Sequence, residues 1–284
     1  MVIRSSTSHQ LTSPPTQPTN RQPKRASAQE SYTQPPPPKD SQLLQDLTMD
    51  PNNKPAPYQV PELLFHTILT VIDYSHDASG ASRTTFVLGT HGTLEAAKAF
   101  AAQSLETLNF KPDDFQKYNV RSSSEEAPGK TWIHGDGVLA FARSFDGQEL
   151  RVSIDTTPNN ESLYASTEDG KMRLPEGAQF LHYVVQTMVD YNVDRSGSLQ
   201  RTEIQGVYVH RADAWTAAHK CLDRSGYAEY DCRGDAEFVE QWPFGENVAV
   251  HAVSETGQNY LVAVNTPPQH KHDIKRHGRK KSAS

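Results

Sequence analysis

The feature that most constrains this chain is that it repeats itself. Ile72-Asp73-Tyr74 returns as Val189-Asp190-Tyr191, and Asp77, Ser79 and Gly80 return as Asp194, Ser196 and Gly197, all displaced by 117 positions. Gly89 and Gly206 keep that displacement. Phe115-x-x-Tyr118-x-Val120-Arg121 then matches Tyr227-x-x-Tyr230-x-Cys232-Arg233 at 112. Trp132-x-x-Gly135, Gly147-Gln148 and Asp155-Thr156 match Trp242-x-x-Gly245, Gly257-Gln258 and Asn265-Thr266 at 110. The order is kept and the displacement shrinks only where loops shorten. Self-similarity of this kind marks one supersecondary unit used more than once, each copy too small to bury its apolar face alone.

Each copy reads as strand, turn, strand, helix, strand, turn, strand. His66 to Ile72 alternate in a β-rich run, as a strand buried on one or both faces does. Asp-x-Ser-Gly supplies turn chemistry, because Asp and Ser bond nearby backbone and Gly accepts positive φ. Thr93 with Glu95 opens a helix whose apolar positions Leu94, Ala97, Phe100, Ala101, Leu105 and Leu108 fall near one face. Residues 138–142 and 150–154 flank a Gly-containing hairpin turn at 145–147. The second copy repeats this over 183–189, 200–207, 211–222, 248–253 and 260–264. The expected fold is therefore α+β: two tandem ββαββ repeats with antiparallel sheets, packed as one pseudo-symmetric body. The first repeat spans 58–157, a polar connector 158–175, and the second repeat 176–267.

Outside the body the composition changes. Residues 1–57 hold 11 of the 19 prolines among Ser, Thr, Gln and Asn, a mixture that buries too little apolar surface to offset its ordering entropy. Residues 268–284 are basic. Both are expected to be disordered tails. They carry +2 and +5 respectively, which leaves −13 on the body out of a total of −6. A unit that acidic repels phosphate backbones, so nucleic-acid binding through the body is not expected. No apolar run approaches the roughly 20 residues of a membrane-spanning helix. The Ser- and Arg-rich start, without an acid before Glu30, also suits a mitochondrial transit peptide, but Pro14, Pro15, Pro18 and Pro23 interrupt the helix such a peptide needs. Cytoplasm or nucleus is the expected location. Lys275, Arg276, Arg279, Lys280 and Lys281 form a basic cluster compatible with nuclear import. Ser27 and Ser282 follow basic residues as kinase acceptors do, and Pro35 to Pro38 form a run that a proline-reading domain docks.

Three features bear on chemistry. Tyr118, Arg121 and Trp132 recur as Tyr230, Arg233 and Trp242. Arg pairs bidentately and stacks on aromatic rings, so each triplet is a candidate subsite for an anionic or aromatic group, set against a purely structural role. Asn192, Asp194, Ser196 and Glu203 stand at positions 1, 3, 5 and 12 of an EF-hand-like loop with Gly197 at 6. Position 1 is Asn, the matching loop has Ser75 and Phe86 at its ends, and the flanks there read as strands, so a β-hairpin turn is the favoured reading. Cys221 and Cys232 lack counterparts in the first copy and read as free buried thiols. No nucleophile elbow, Walker loop, dinucleotide fingerprint or zinc-protease motif is present in the sequence. No cofactor is expected, and no catalytic residue is assigned. The reading leans away from an enzyme and towards a regulatory or protein-interaction protein with a protein partner. Its alternatives are a small-molecule or enzymatic site at the interface between repeats, around Arg121, Arg233 and the two tryptophans, and calcium binding at 192–203.

Overall fold

The computed structural model describes residues 57–121, 132–235, 242–268 and Ile274. The first half runs β1 (Tyr58–Gln59), β2 (Leu63–Asp73), β3 (Arg83–His91), α1 (Leu94–Thr107), β4 (Phe115–Val120), β5 (Val138–Ser144) and β6 (Gln148–Pro158). Next come β7 (Tyr164–Ser166) and β8 (Met172–Arg173). The second half runs β9 (His182–Asp190), β10 (Gln200–Tyr208), α2 (Arg211–Lys220), β11 (Glu229–Cys232), β12 (Val248–Val253) and β13 (Gln258–Asn265).

Three antiparallel sheets result. The two large ones have the orders β3-β2-β6-β5-β4 and β10-β9-β13-β12-β11. Neither half is thus the four-stranded ββαββ unit expected, since a fifth strand, β4 or β11, follows each helix and closes one edge. Period-2 alternation had no hold on these strands because they are short and irregular: in β4 Gln116 and Lys117 are adjacent and both face solvent, and Gln116 is bulged out of register with β5. The connector is also not plain. Its β7 pairs with β1 on one side and β8 on the other in a small sheet of order β1-β7-β8, and Leu163 and Ala165 are buried. This sheet presses on the start of α1, where a Cβ at Gly92 would lie 2.4 Å from Ala165 Cβ; only glycine fits there. The Gly92 N–H donates to the Gly170 carbonyl at 2.8 Å.

Alternation along β2 and β9 explains how the layers stack. Leu69 and Val71 face α1, together with Ala101, Leu105, Leu150 and Val152. Leu64 and Ile68, on the opposite face, join Val87, Tyr183, Val185, Ile204 and Val207 in a core between the two large sheets. Val184, Val262 and Val264 turn outward to Ala214, Trp215 and Ala218 of α2. The order of layers is helix, sheet, sheet, helix. Each helix presents small residues to its sheet, Ala97 and Ala101 in α1, Ala214 and Ala218 in α2, all with 0% exposure. Small side chains let the helix axis approach closely, and leucines at the ends, Leu105 and Leu222, supply the larger apolar contacts, each about 2 kcal/mol. The Thr93 side chain caps α1 by accepting from the Ala96 N–H at 3.2 Å. Asn109, with φ of 63°, ends it, and the Phe110 N–H returns to the Leu105 carbonyl.

Polar links pin the two sheets to each other. Asp155 on β6 accepts from the Ile204 N–H on β10 at 2.9 Å, and the Gln200 side chain donates to the Ala81 carbonyl at 2.8 Å. The Tyr183 hydroxyl meets Thr90 Oγ1 at 2.8 Å, and Thr90 Oγ1 meets His66 Nδ1 at 2.9 Å. The other His66 nitrogen meets Thr157 Oγ1 at 2.8 Å. A buried polar chain therefore runs from one sheet into the other, with its hydrogen bonds satisfied.

Candidate functional site

The six repeated residues, Tyr118, Arg121, Trp132, Tyr230, Arg233 and Trp242, sit around the outer ends of β4 and β11, one triplet per half. The core between the sheets contains none of them, so the expected site at the interface between halves is not formed by these residues. That interface is filled by aliphatic side chains and Tyr183, because the alternation of β2 and β9 sends their even and odd apolar positions to opposite faces.

In the second half the triplet is tightly occupied. The Arg233 guanidinium lies 5.6 Å from the Trp215 ring centroid and 5.7 Å from that of Trp242, a cation held between two indoles. Its Nε donates to the Val248 carbonyl at 3.1 Å and a terminal nitrogen donates to the Glu246 carbonyl. Arg211, one helical turn before Trp215, stands 5.5 Å from the same ring and grips the Asp235 carboxylate through Nε and Nη2. The Tyr230 hydroxyl donates towards the His219 and Leu222 carbonyls, groups left over at the end of α2. Burial pushes the Tyr230 hydroxyl pKa up.

In the first half the same positions are built differently. Tyr118 stacks on Phe115 at 5.9 Å, its hydroxyl is buried with no hydrogen-bond partner among the described residues, and burial raises its pKa. The Arg121 N–H donates to the Leu139 carbonyl at 2.7 Å, matching the Arg233 N–H to the Ala249 carbonyl at 3.0 Å. Position 98, which corresponds to Trp215 at the 117 displacement, is Lys98, so the indole sandwich has no second indole here. Trp132 meets His134 edge-on at 4.8 Å, and His134 stacks on Phe141 at 3.9 Å and 12°. In the second half Trp242 meets Phe244 edge-on at 5.0 Å, and Phe244 stacks on His251 at 3.9 Å and 14°. The stack is the same and its histidine and phenylalanine have changed places. Inspection for identical residues misses such an exchange, and it also misses Trp215, whose spacing of four from Arg211 on a helix was the available signal.

Beside the second triplet lies an open groove of about 650 Å³, lined by His219, Lys220, Leu222, Asp223, Arg224, Tyr230, Cys232 and Arg233. It runs between the end of α2 and β11. Three full cations face one carboxylate there, on a body that is otherwise strongly acidic. Arg224 also lies 5.7 Å from the Tyr230 ring. Cys232 is exposed and Cys221 half-buried. The expectation of two buried thiols is thus corrected: Tyr230 of β11 packs against the core under α2, while Cys232, at the end of that short strand, stays open to solvent.

The EF-hand-like segment is the turn of the β9–β10 hairpin, not a loop between helices. The residues leading into it, His182 to Asp190, form β9. The Asp194 carboxylate accepts from the hydroxyls of Ser198 and Ser196 and from the Ser196 N–H, and these bonds hold its pKa down at about 2. The Asn192 amide donates to the Thr256 carbonyl. Glu203 lies four residues into β10 and pairs with Arg201 at 2.6 Å. Among the described residues, no group of three or more His, Cys, Asp and Glu side chains gathers to hold a metal ion, and no helix is long and apolar enough to cross a membrane. Ser27, Ser282, the basic cluster 275–281 and the proline run lie outside the described residues. No family model, no curated protein and no solved structure matches the chain.

Proposed function

We propose that this chain is a non-enzymatic protein-interaction protein, that its body uses one ββαβββ module twice, and that its docking surface is the groove beside β11. The duplication is supported by irregularities that fall at matching positions. Leu88 in β3 and Gln205 in β10 are each skipped in the pairing one residue before a glycine, and Leu139 in β5 and Ala249 in β12 are likewise skipped. Bulges of this kind belong to a fold's design.

The observation that carries the docking surface is the basic groove bordered by a strand that, among the described residues, has a neighbour on one side only. β11 pairs with β12 and ends its sheet, which leaves its outer row of backbone groups able to take a further strand. Tyr230 and Cys232 line the groove with Lys220 and Arg224, while Glu229 and Asp231 alternate to the other face of β11, so on the groove side the edge favours an acidic segment in extended form. Against the enzymatic reading stands the use already made of the candidate residues: the Arg233 guanidinium is committed to two indoles and two carbonyls, and Tyr230 to the end of α2.

The test uses the full chain and fluorescent peptides of alternating valine with either glutamate or lysine, followed by anisotropy. The glutamate peptide binds, and its affinity falls as salt rises from about 50 to about 300 mM. Lys220→Glu with Arg224→Glu abolishes that binding. Equal binding of the two peptides, or indifference to the charge reversal, overturns the assignment.

A further inference from the structure

Within 269–284 the structure describes Ile274, and Ile274 is buried, at 5% exposure. It belongs to the core under α1, far from its sequence neighbours in β13, and contributes to a cavity lined by Val71, Phe110, Phe115 and Leu150, with Asp114 and Asp146 also on its wall. This departs from the expectation of a wholly solvated basic tail. About 200 Å³ remains open beside it.

The second half shows why the first has room there. At the displacements found in the sequence, Phe115 corresponds to Tyr227 and Leu150 to Tyr260. The rings of Tyr227 and Tyr260 meet edge-on at 5.4 Å and pack against the core under α2, so that corner of the second core is closed by these two rings. Leucine at 150 is smaller than tyrosine and leaves a gap at the same corner of the first core. In the sequence Ile274 stands in the run Lys271-His272-Asp273-Ile274-Lys275-Arg276, which stays net positive despite Asp273, and the cavity carries two carboxylates.

We infer that this cavity is a socket for a branched aliphatic side chain in a basic context, and that the chain's own C-terminal segment is its ligand, latched to the body through Ile274. The interaction uses a different half of the body from the groove beside β11, and it stands whether or not that groove binds a partner.

The test is competition between the tethered segment and the same segment supplied free. A fluorescent peptide of residues 268–284 is titrated against the folded full chain in its natural form and as Ile274→Asp. The tethered Ile274 competes at high effective concentration, so the peptide binds the variant at least about tenfold more tightly than the natural chain. A peptide carrying Ile274→Asp does not bind either chain, and Leu150→Tyr added to the Ile274→Asp chain removes binding by filling the corner as Tyr260 does. Should Ile274→Asp impair folding, Ile274→Ser empties the socket more gently and serves the same comparison. Equal affinity of the natural peptide for the natural and Ile274-substituted chains overturns the latch. So does equal binding of the peptides with and without Ile274, which would leave charge alone as the cause.

Discussion

His66 offers a quantitative check on how the two sheets are joined. Its ring is fully buried, with both nitrogens bonded to threonine hydroxyls, and burial, assisted by the nearby positive charge His91 carries when protonated, lowers its pKa to about 3. In the unfolded chain a histidine titrates near 6.5. Between these values the unfolded state holds a proton that the folded state does not, so stability falls as pH falls through this window. The slope approaches about 1.4 kcal/mol per pH unit, and the loss from pH 7.5 to 4.5 is about 2.5 kcal/mol from this residue alone. His91 and His182 are also shifted down by burial and add slope of the same sign, so the wild-type curve by itself does not isolate His66. Comparison with His66→Gln does, because glutamine keeps hydrogen-bonding capacity and carries no titrating group. Urea unfolding followed by tryptophan emission at half-unit steps of pH reads both curves. The variant starts less stable at pH 7.5, having lost the ring's edge-on contact with Tyr183, and then loses about 2.5 kcal/mol less than wild type on the way to pH 4.5. Parallel curves would refute the reasoning, since they would mean that the folded state accepts the proton at no cost.

Three further outcomes follow from the turns, the indole sandwich and the β9–β10 loop. Gly80→Ala and Gly197→Ala each place a Cβ at 2.7 Å from a tyrosine ring carbon at φ near +76°, and each is expected to lower stability by about 1–3 kcal/mol in urea unfolding; Gly226→Ala, with open space around it, stays within about 0.5 kcal/mol. Arg233→Lys keeps the charge and loses the planar stacking between Trp215 and Trp242, so tryptophan emission shifts and stability drops by about 1 kcal/mol; unchanged emission would contradict the sandwich. Calcium at about millimolar concentration leaves the thermal midpoint unmoved, because the Asp194 carboxylate is committed to serine donors and Glu203 to Arg201; a rise in midpoint would restore the calcium reading.

Local chemistry was legible wherever one residue and its near neighbours decide the outcome. The alternation in 66–72 marked a strand, Thr93 marked the start of a helix, and Asp-x-Ser-Gly marked two hairpin turns whose glycines adopt φ of 76° and 77°. The spacing between copies aligned Tyr118 with Tyr230 but did not mark the strands that carry them. Short exposed edge strands left no such mark, because β4 and β11 are held by their neighbours' hydrogen bonds more than by burial of their own side chains. The connector's β7 likewise owes its place to pairing with β1 and β8.

The sequence by itself determined the strand through residues 66–72, the two Asp-x-Ser-Gly turns and the start of α1, since these depend on periodicity and on backbone preferences within a few residues. Only tertiary structure decided which face of each sheet met which layer, that His66 would be buried without charge, and that Ile274 would leave a basic run to enter the first core. Each of these rests on contacts between residues far apart in the chain, where desolvation and the fit of a side chain to a cavity outweigh anything its neighbours in sequence prefer.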